Sequence, residues 1–319
     1  DFNSGRNNTA VYSLNGGNLG IGASGLSAAS NKVLDLGGGT ITALDDSDWA
    51  GRMTTQTATT STFDVDGYFV DIIGSITGDG TIDLISTAGG GGFTFFTNGT
   101  QNIEATLTGD ADLFKDGTGT TVLSGASGSS TSVLSVFGGT LRLDGGFGGS
   151  IEATDLGAFA GDGTIGGDLR LGGGSTGTAL QIPATGGPSA AGNVELIGTT
   201  TVELTDALIG VNPTVPVFNY GTLTGDPTTQ LSFPGGAGYR GAVFSDDVGN
   251  SRVLLTITNE DLTWTGGTDG TWDQNSSVNW LNGGANTFYD QDLVTFDDSG
   301  ANPAITLVGE LQPGSMVVD

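Results

Sequence analysis

Residues 138–143 read Gly-Gly-Thr-Leu-Arg-Leu, a pair of glycines followed by a short stretch in which polar and apolar residues alternate. Glycine accepts the backbone angles of a tight corner, and strict alternation is typical of a strand with one buried face. The motif, here called a glycine node, therefore predicts a corner followed by a short strand. Comparable nodes, each with Thr or Asn before an aliphatic residue, stand at residues 16–19, 38–41, 78–82 and 161–165, with a weaker one at 119–121.

The spacing of the nodes is regular. Their Asn or Thr residues are Asn18, Thr40, Thr81, Thr120, Thr140 and Thr164. Each step between them corresponds to one or two units of about 20 residues, a length typical of one coil in a protein built from stacked repeats. A compact β-sandwich has no reason to keep such a period. The spacing therefore predicts a β-solenoid.

Between the nodes, apolar residues recur at every second position and the residues between them are mostly polar. The apolar sets are Ile82 and Leu84, Phe93 and Phe95, Ile103 with Ala105 and Leu107, Leu141 and Leu143, and Leu169 and Leu171. No stretch has a sustained helical period flanked by capping residues. The sequence therefore predicts an all-β protein with little helix.

The prolines divide the chain. All eight lie at or after Pro183, and proline cannot donate a hydrogen bond within a central strand. We therefore predict a β-solenoid repeat region at residues 1–195 and an irregular β-strand region at residues 196–260. Residues 261–319 are predicted to form a tryptophan-containing β module that is completed by a neighbouring subunit or by downstream sequence.

Composition excludes several classes of function. The chain has no histidine and no cysteine, which removes the commonest general base and every site built on thiolate or imidazole ligands. Eight basic residues against 35 acidic ones give a net charge of −27. This charge repels phosphate backbones and anionic lipids, and the apolar runs are too short to span a bilayer. We expect no nucleic-acid partner and no membrane insertion.

Two stretches carry a resemblance to a known family. The sequence KDGTGTTVLSGA at residues 115–126, followed by VFGGTLRL at residues 136–143, resembles the autotransporter-associated β-strand repeat of bacterial secreted and surface proteins. The family usually has an aliphatic residue where Thr121 stands. The resemblance implies a right-handed parallel β-helix, with about 9 coils in residues 1–195 at roughly one coil per 20 residues. It also implies a location outside the cell or on the surface of a bacterium.

The C-terminal region resembles the tryptophan-rich module that precedes such repeat arrays in long surface proteins. The matching segments are residues 264–267, 270–273, 279–280 and 292–296. Trp264, Trp272 and Trp280 are evenly spaced, and they could either stack on sugar rings or form one packed face. We favour core packing for the three indoles.

The acidic residues include candidate calcium ligands. Asp45, Asp46 and Asp48 form one cluster, and Asp64 and Asp66 form another; a third comprises Asp290, Asp292, Asp297 and Asp298. Calcium prefers several oxygen ligands from carboxylates and turn carbonyls. The stretch at residues 64–67 begins like a calcium loop but lacks the later bidentate glutamate. Solvated turn aspartates are therefore the competing interpretation, and calcium is the single cofactor considered.

These observations predict a non-enzymatic extracellular structural protein, a subunit of a surface filament or matrix fibre that polymerises head-to-tail with itself through β-strand pairing. The apolar stretch Met316, Val317 and Val318 is the candidate assembly segment, because it carries no polar cap. Two alternatives stay open. One is a passenger-type adhesin that binds a surface or a glycan, and the other is a β-helix carbohydrate-active enzyme, which needs two carboxylates across a sugar.

Overall fold

A computed structural model describes residues 10–26, 32–154, 156–173, 177–206, 208, 210–234, 238–302 and 304–319. The chain is nearly all β, with 2% of its residues helical. The helices are α1 (Pro227–Gln230) and a 3₁₀ turn at Val248–Asn250. Within these ranges no helix is long and apolar enough to cross a membrane. The predicted all-β parallel β-helix is confirmed.

Most strands are short. In chain order the first group comprises β1 (Ala10–Leu14), β2 (Asn18–Ile21), β3 (Lys32–Leu36), β4 (Thr40–Ala43), β5 (Ser47–Trp49), β6 (Arg52–Thr55), β7 (Thr60–Asp64), β8 (Phe69–Ile72), β9 (Ile76–Thr77), β10 (Thr81–Ile85), β11 (Gly92–Phe96), β12 (Thr100–Ile103), β13 (Thr106–Gly109), β14 (Leu113–Asp116), β15 (Thr120–Leu123), β16 (Ser127–Ser130), β17 (Val133–Val136), β18 (Thr140–Leu143), β19 (Gly146–Phe147) and β20 (Ser150–Ala153). The second group comprises β21 (Ala158–Gly161), β22 (Thr164–Ile165), β23 (Leu169–Leu171), β24 (Thr178–Ile182), β25 (Ser189–Ala190), β26 (Asn193–Leu196), β27 (Thr200–Leu204), β28 (Thr214–Asn219), β29 (Thr222–Thr224), β30 (Leu231–Ser232), β31 (Gly241–Asp247), β32 (Arg252–Thr258), β33 (Asp261–Trp264), β34 (Thr271–Trp272), β35 (Trp280–Leu281), β36 (Ala285–Asn286), β37 (Leu293–Phe296), β38 (Thr306–Leu307) and β39 (Ser315–Val318).

The strands of the solenoid stack in parallel on three faces, and a typical coil gives one strand to each face. The first face is the eleven-stranded sheet β1-β3-β6-β9-β12-β15-β18-β21-β24-β27-β30. The second face begins as the six-stranded sheet from β2 to β16 and continues from β19 to β28, and the third face is the nine-stranded sheet from β5 to β29. Nine strands of the first face begin before residue 195, as the predicted number of coils requires.

The glycine nodes do not form one column along the solenoid. Asn18, Thr40 and Thr81 begin strands of the second face, whereas Thr120 and Thr140 begin strands of the first face. The coils also differ in length. On the first face Thr140 pairs with Ala158 across a short coil, whereas residue 200 pairs with residue 231 across a much longer one. The sequence thus predicted the size of a typical coil correctly. The spacing between nodes is not the length of one coil, however, because glycine corners precede strands on both the first and the second face.

The core is built from the inward positions of the strands. All the alternating apolar residues predicted from the sequence are buried. The largest side chains concentrate in the early coils, where Trp49 packs edge-on against Phe63 and Phe93 with ring centroids 5.3 and 6.1 Å apart. Since a strand exposes its successive side chains to opposite faces, alternation in the sequence becomes a dry interior and a polar outer surface.

Parallel coil pairing continues past residue 195, where the sequence predicted the regular coils to end. Strands β27, β29 and β30 still pair in parallel with the coils before them. Antiparallel pairing begins where β32 pairs with β28 and β31. In the C-terminal module, Trp264, Trp272 and Trp280 are buried, with neighbouring ring centroids 5.1 Å apart. The predicted packing of the three indoles in one core is confirmed.

One lysine occupies a core position. Lys115 points inward from β14 and is fully buried. Its Nζ donates to the backbone oxygens of Asp116 (2.7 Å), Gly117 (3.3 Å) and Gly138 (3.1 Å). Burial lowers the pKa of Lys115, and the charge of Asp116 opposes that shift. The ammonium group therefore satisfies carbonyls at two successive corners, including those of Gly117 and Gly138, to which an aliphatic side chain could not donate.

A second buried polar contact explains the threonine at position 121. Thr121 and Gln101 occupy adjacent inward positions on the first face, and both are buried. The Thr121 hydroxyl donates to Gln101 Oε1 at 3.0 Å, and Gln101 Nε2 donates to the carbonyls of Ile72 (2.6 Å) and Gly74 (3.0 Å). The hydroxyl at Thr121 therefore completes the hydrogen bonds of a glutamine that holds an earlier corner.

We predict that Thr121→Val lowers the free energy of unfolding by about 1–3 kcal/mol, because it leaves the buried Gln101 oxygen without a donor. Urea unfolding followed by circular dichroism measures the change. The matched control is Thr120→Val, one position earlier on the same strand and on its outward side, where we expect less than about 0.5 kcal/mol. A Thr121→Val protein as stable as the wild type would contradict this account.

Candidate assembly site

The segment predicted to mediate assembly forms an edge strand. Strand β39 pairs in parallel with β37 at one end of a five-stranded sheet, and no other strand of the described chain pairs along its outer side. Met316, Val317 and Val318 are 55%, 52% and 77% exposed. A strand in this position presents backbone N–H and C=O groups to any chain that can pair with them.

Apolar side chains that lie side by side on neighbouring strands form rows across the sheet of the module, and these rows extend to β39. Leu262 of β33 lies beside Val294 of β37, and Val294 lies beside Met316 of β39. The first two residues are fully buried, whereas Met316 is exposed. In the next row, Phe296 lies beside Val318. The core of the module thus ends in solvent at β39, and one more strand with apolar residues at these positions would cover it.

An open cavity of about 640 Å³ adjoins the edge. Its walls include Trp264, Trp272, Phe296, Met316 and Val318, and the acidic side chains at positions 297 and 298 also line it. The indole N–H of Trp272 is buried and has no hydrogen-bond partner. The walls of the cavity are mainly apolar, which suits an apolar side chain.

The first coil carries a second open cavity, of about 570 Å³. It is lined mainly by apolar side chains, which include Tyr12, Leu14, Leu19, Ile21 and Leu34. Strands β1 and β2 are the outermost described strands of the first and second faces. Among the described residues, nothing covers the solenoid interior at this end, so two apolar cavities lie at opposite ends of the strand order.

Charge is distributed unevenly between these two ends. Residues 253–319 contain ten acidic residues and no lysine or arginine. Three of the eight basic residues of the whole chain lie at or before Arg52, the other two being Arg6 and Lys32; Arg6 falls outside the described residues. An acidic end and an end with basic residues attract each other more than two acidic ends do.

The first predicted calcium cluster lies at a corner of the second coil. Asp45 Oδ1 accepts a hydrogen bond from the Asp46 backbone N–H at 2.9 Å, and Asp46 Oδ1 accepts one from the Phe69 N–H at 2.8 Å. Asp48 directly precedes a buried tryptophan and faces outward beside Asp71 of the next coil. Two of the three predicted carboxylates therefore have backbone donors as partners.

The second predicted cluster is engaged in a turn. Asp64 Oδ1 accepts from the backbone N–H groups of Asp66 (2.9 Å) and Thr87 (3.0 Å). The Thr87 hydroxyl also donates to Asp64 Oδ2 at 2.8 Å and to Asp66 Oδ1 at 3.0 Å. Within the described ranges no three acidic side chains come together as a metal-binding group. Calcium binding at these residues stays a prediction.

Asp292 of the third acidic cluster fastens the tryptophan module to the preceding region. Arg240 makes a bidentate ion pair with the fully buried Asp292, at 2.7 and 2.9 Å. Asp292 also accepts from the backbone N–H groups of Glu260 and Tyr289. The Arg240 guanidinium lies 4.8 Å from the centroid of the Tyr289 ring. The sequence placed Asp292 among acidic residues but gave no sign of its arginine partner, 52 positions earlier.

The sequence also missed Asp71, which faces Asp48 across the third face. Burial raises the pKa of Asp71, and the charges of Asp48 and Asp116 raise it further, while a hydrogen bond from Thr94 opposes the shift. Like charges directly opposite each other on neighbouring strands are destabilising. Asp48 and Asp71 lie on successive coils, so the pairing follows from coil register and not from any local pattern.

We predict that Asp71→Asn stabilises the protein at pH 7. Folding raises the pKa of Asp71, so the stability linked to its protonation is complete below about pH 4 and is lost as the pH rises through the folded pKa. The variant should therefore exceed the wild type in stability at pH 7, and the difference should disappear toward about pH 4. Thermal melting at both pH values measures this. The control for net charge is Asp110→Asn, which removes an exposed carboxylate elsewhere in the chain. An equal gain in stability at pH 7 in this control would refute a local effect at Asp71.

Comparison of the chain with family models, with curated proteins and with solved structures finds no match. The resemblance of residues 115–126 and 136–143 to the autotransporter-associated repeat therefore stays a prediction, and the β-solenoid fold stands on the structure.

Proposed function

We propose that this chain is a non-enzymatic structural subunit of an extracellular bacterial filament or matrix fibre, assembled head-to-tail through β-strand pairing. The observation that carries the proposal is the edge of β39, where the core rows of the tryptophan module end in exposed apolar side chains. A neighbouring strand would pair the free backbone groups and cover Met316 and Val318 in one step.

The energetics of such a contact are favourable. Burial of apolar surface contributes about 25 cal/mol per Å², or roughly 1.5–3 kcal/mol for a fully buried Val or Met side chain. Strand pairing adds main-chain hydrogen bonds of about 0.5–1.5 kcal/mol each. The 640 Å³ cavity beside β39 accepts further side chains. These gains must exceed the entropy lost on association, which rigid, preformed ends keep low.

A second copy of this chain suits the edge because, within the described part of the chain, strands β1 and β2 of the first coil also have no strand on their outer side. Its apolar cavity of about 570 Å³ matches the C-terminal cavity in size and character. A contact between two different ends is heterologous, and repetition of it gives an open filament unless the rotation closes a ring. Residues 253–319 carry ten acidic and no basic residues, whereas residues 1–52 carry five acidic and three basic ones, and this difference favours head-to-tail over tail-to-tail contact.

The side-chain chemistry also supports a structural role. Many carboxylates act as acceptors for turn N–H groups, as Asp64 does, or as partners of arginine, as Asp292 does. These interactions stabilise corners and fasten the module. Carboxylates placed in this way fix the backbone at the corners of the solenoid and make it rigid. A long-lived extracellular fibre requires a rigid subunit.

We predict that deletion of residues 312–319 converts a fibre-forming protein into a soluble monomer that keeps its β signal. Sedimentation and electron microscopy measure assembly, and circular dichroism measures the fold. The double variant Met316→Asp with Val318→Asp should have the same effect without shortening the chain, because it places charge where the core rows emerge.

The matched control is Val308→Asp, which introduces a charge at an exposed residue outside β39. It should assemble as the wild type does. If the double variant still forms fibres, or if the intact chain is monomeric at high concentration, head-to-tail assembly through β39 is wrong.

A further inference from the structure

A strip of three phenylalanines crosses the outside of the third face. Phe69 and Phe137 are 54% and 56% exposed, and Phe114 lies between them. The ring centroids of Phe69 and Phe114 are 6.5 Å apart, and those of Phe114 and Phe137 are 5.8 Å apart with the planes 19° from parallel. We call these three residues the phenylalanine strip. It connects strands that are far apart in sequence into one continuous aromatic surface.

Glycine at position 92 makes the strip continuous. Gly92 pairs with Phe69 and lies on the strand between those that carry Phe69 and Phe114. A Cβ at Gly92 would lie 2.8 Å from Cε2 of Phe114, closer than van der Waals contact allows. The Phe114 ring therefore leans across the intervening strand toward Phe69, and a larger residue at position 92 would block it.

Carboxylates accompany the strip along its length. Asp46 accepts the backbone hydrogen bond of Phe69, and Asp71 shares the outward side of β8 with Phe69. Asp48 pairs with Asp71 on the neighbouring strand. Residues 112 and 116, both aspartates, flank Phe114 on either side in the sequence. None of these five carboxylates forms an ion pair with a described lysine or arginine, since the ion pairs of the structure involve other residues.

The same surface thus combines exposed aromatic rings with carboxylates that form no ion pair with a described residue. Lysine and arginine are attracted to ring faces and to carboxylates. Lys115 directly follows Phe114, but its side chain points inward and is held by corner carbonyls. Among the described side chains, therefore, no lysine or arginine supplies the charge complement of the strip.

The described part of the chain already contains an example of this chemistry. Arg240 lies over the ring of Tyr289 and pairs with Asp292. A planar guanidinium can stack on a ring while its N–H groups contact a carboxylate, which an ammonium group does less well. The phenylalanine strip offers an aromatic surface and carboxylates of the same kind, but without an arginine.

We propose that the phenylalanine strip binds an extended, arginine-rich segment of another protein, with arginines at alternate positions. Alternate side chains on one side of an extended strand are roughly 6.6 Å apart, which matches the 6.5 and 5.8 Å between ring centroids. Successive guanidinium groups can then lie against successive rings, with the carboxylates beside the strip as their counter-charges. The strip thus gives the solenoid a lateral binding face that is separate from its ends.

A second copy of this chain is not the partner of the strip. The chain has eight basic residues, and no two of them stand at alternate positions. Its net charge of −27 also makes lateral approach of another copy unfavourable. The charge argument therefore selects a basic partner of different sequence.

The test uses isothermal titration of the full chain with acetyl-(Arg-Thr)₃-amide and with acetyl-(Lys-Thr)₃-amide. We expect saturable one-to-one binding of the arginine peptide and several-fold weaker binding of the lysine peptide. Phe114→Ala and Phe137→Ala should each weaken binding about three- to tenfold. Phe137→Ala guards against a folding defect, because that ring is more than half exposed; unchanged circular dichroism and melting confirm the fold of each variant.

The controls separate the strip from general attraction to an acidic protein. Asp71→Asn with Asp112→Asn should weaken binding, whereas Asp79→Asn with Asp110→Asn, which removes the same charge elsewhere, and Leu156→Ala, an exposed apolar residue, should not. Equal weakening by the control pair, or full affinity in both phenylalanine variants, overturns the proposal. So does the absence of saturable binding at millimolar peptide. Displacement of the peptide by a neutral oligosaccharide at equal concentration would also overturn it, in favour of a glycan.

Discussion

Hydrogen bonding between parallel strands of successive coils is the interaction on which the rest of this structure depends. A parallel strand cannot pair with its sequence neighbour through a tight hairpin. Each strand of the three faces instead pairs with strands roughly 20 residues before and after it. Thr120, for example, pairs with Thr100 on one side and Thr140 on the other. The backbone groups of a coil are therefore fully paired only when a coil lies on each side of it. The first and last strands of every sheet keep unpaired N–H and C=O groups.

The corners decide where polar residues enter the core. A rod of short strands has many corners, and their carbonyls point partly inward where no water reaches them. Lys115 and Gln101 supply donors at such places, and Thr121 supplies the donor that Gln101 Oε1 needs. These residues break the apolar pattern of the strands that carry them. Their positions follow from the carbonyls of neighbouring coils that need a hydrogen-bond donor. The strands that carry these residues otherwise keep the alternating pattern.

Along the third face, some acidic residues are paired with arginine and others are not. Toward the C-terminal end of this face, Arg170 of β23 lies between Glu152 and Glu195 on adjacent strands and pairs with both, at 3.0 and 2.8 Å. Toward the first coils, Asp48 and Asp71 lie side by side without a basic residue, next to the phenylalanine strip. The third face thus contains one region in which arginine neutralises the carboxylates and one region in which no arginine does so. The second region is where the solenoid has free charge and exposed aromatic surface together.

The sequence by itself determined the fold class, the length of a typical coil and most of the core, because glycine corners and alternating apolar residues are local patterns that each strand repeats. It also predicted that the three tryptophans of the C-terminal module pack together, and it identified the apolar segment at Met316. Only the tertiary structure decided which residues meet across coils. The pairs Asp48 with Asp71 and Gln101 with Thr121, the contact of Phe69 with Phe114, and the ion pair of Arg240 with Asp292 all depend on register between strands far apart in the chain. Coil length varies along the solenoid, from the short step between paired residues 140 and 158 to the long step between 200 and 231. Because each change in coil length shifts that register, no fixed period in the sequence could have located these contacts.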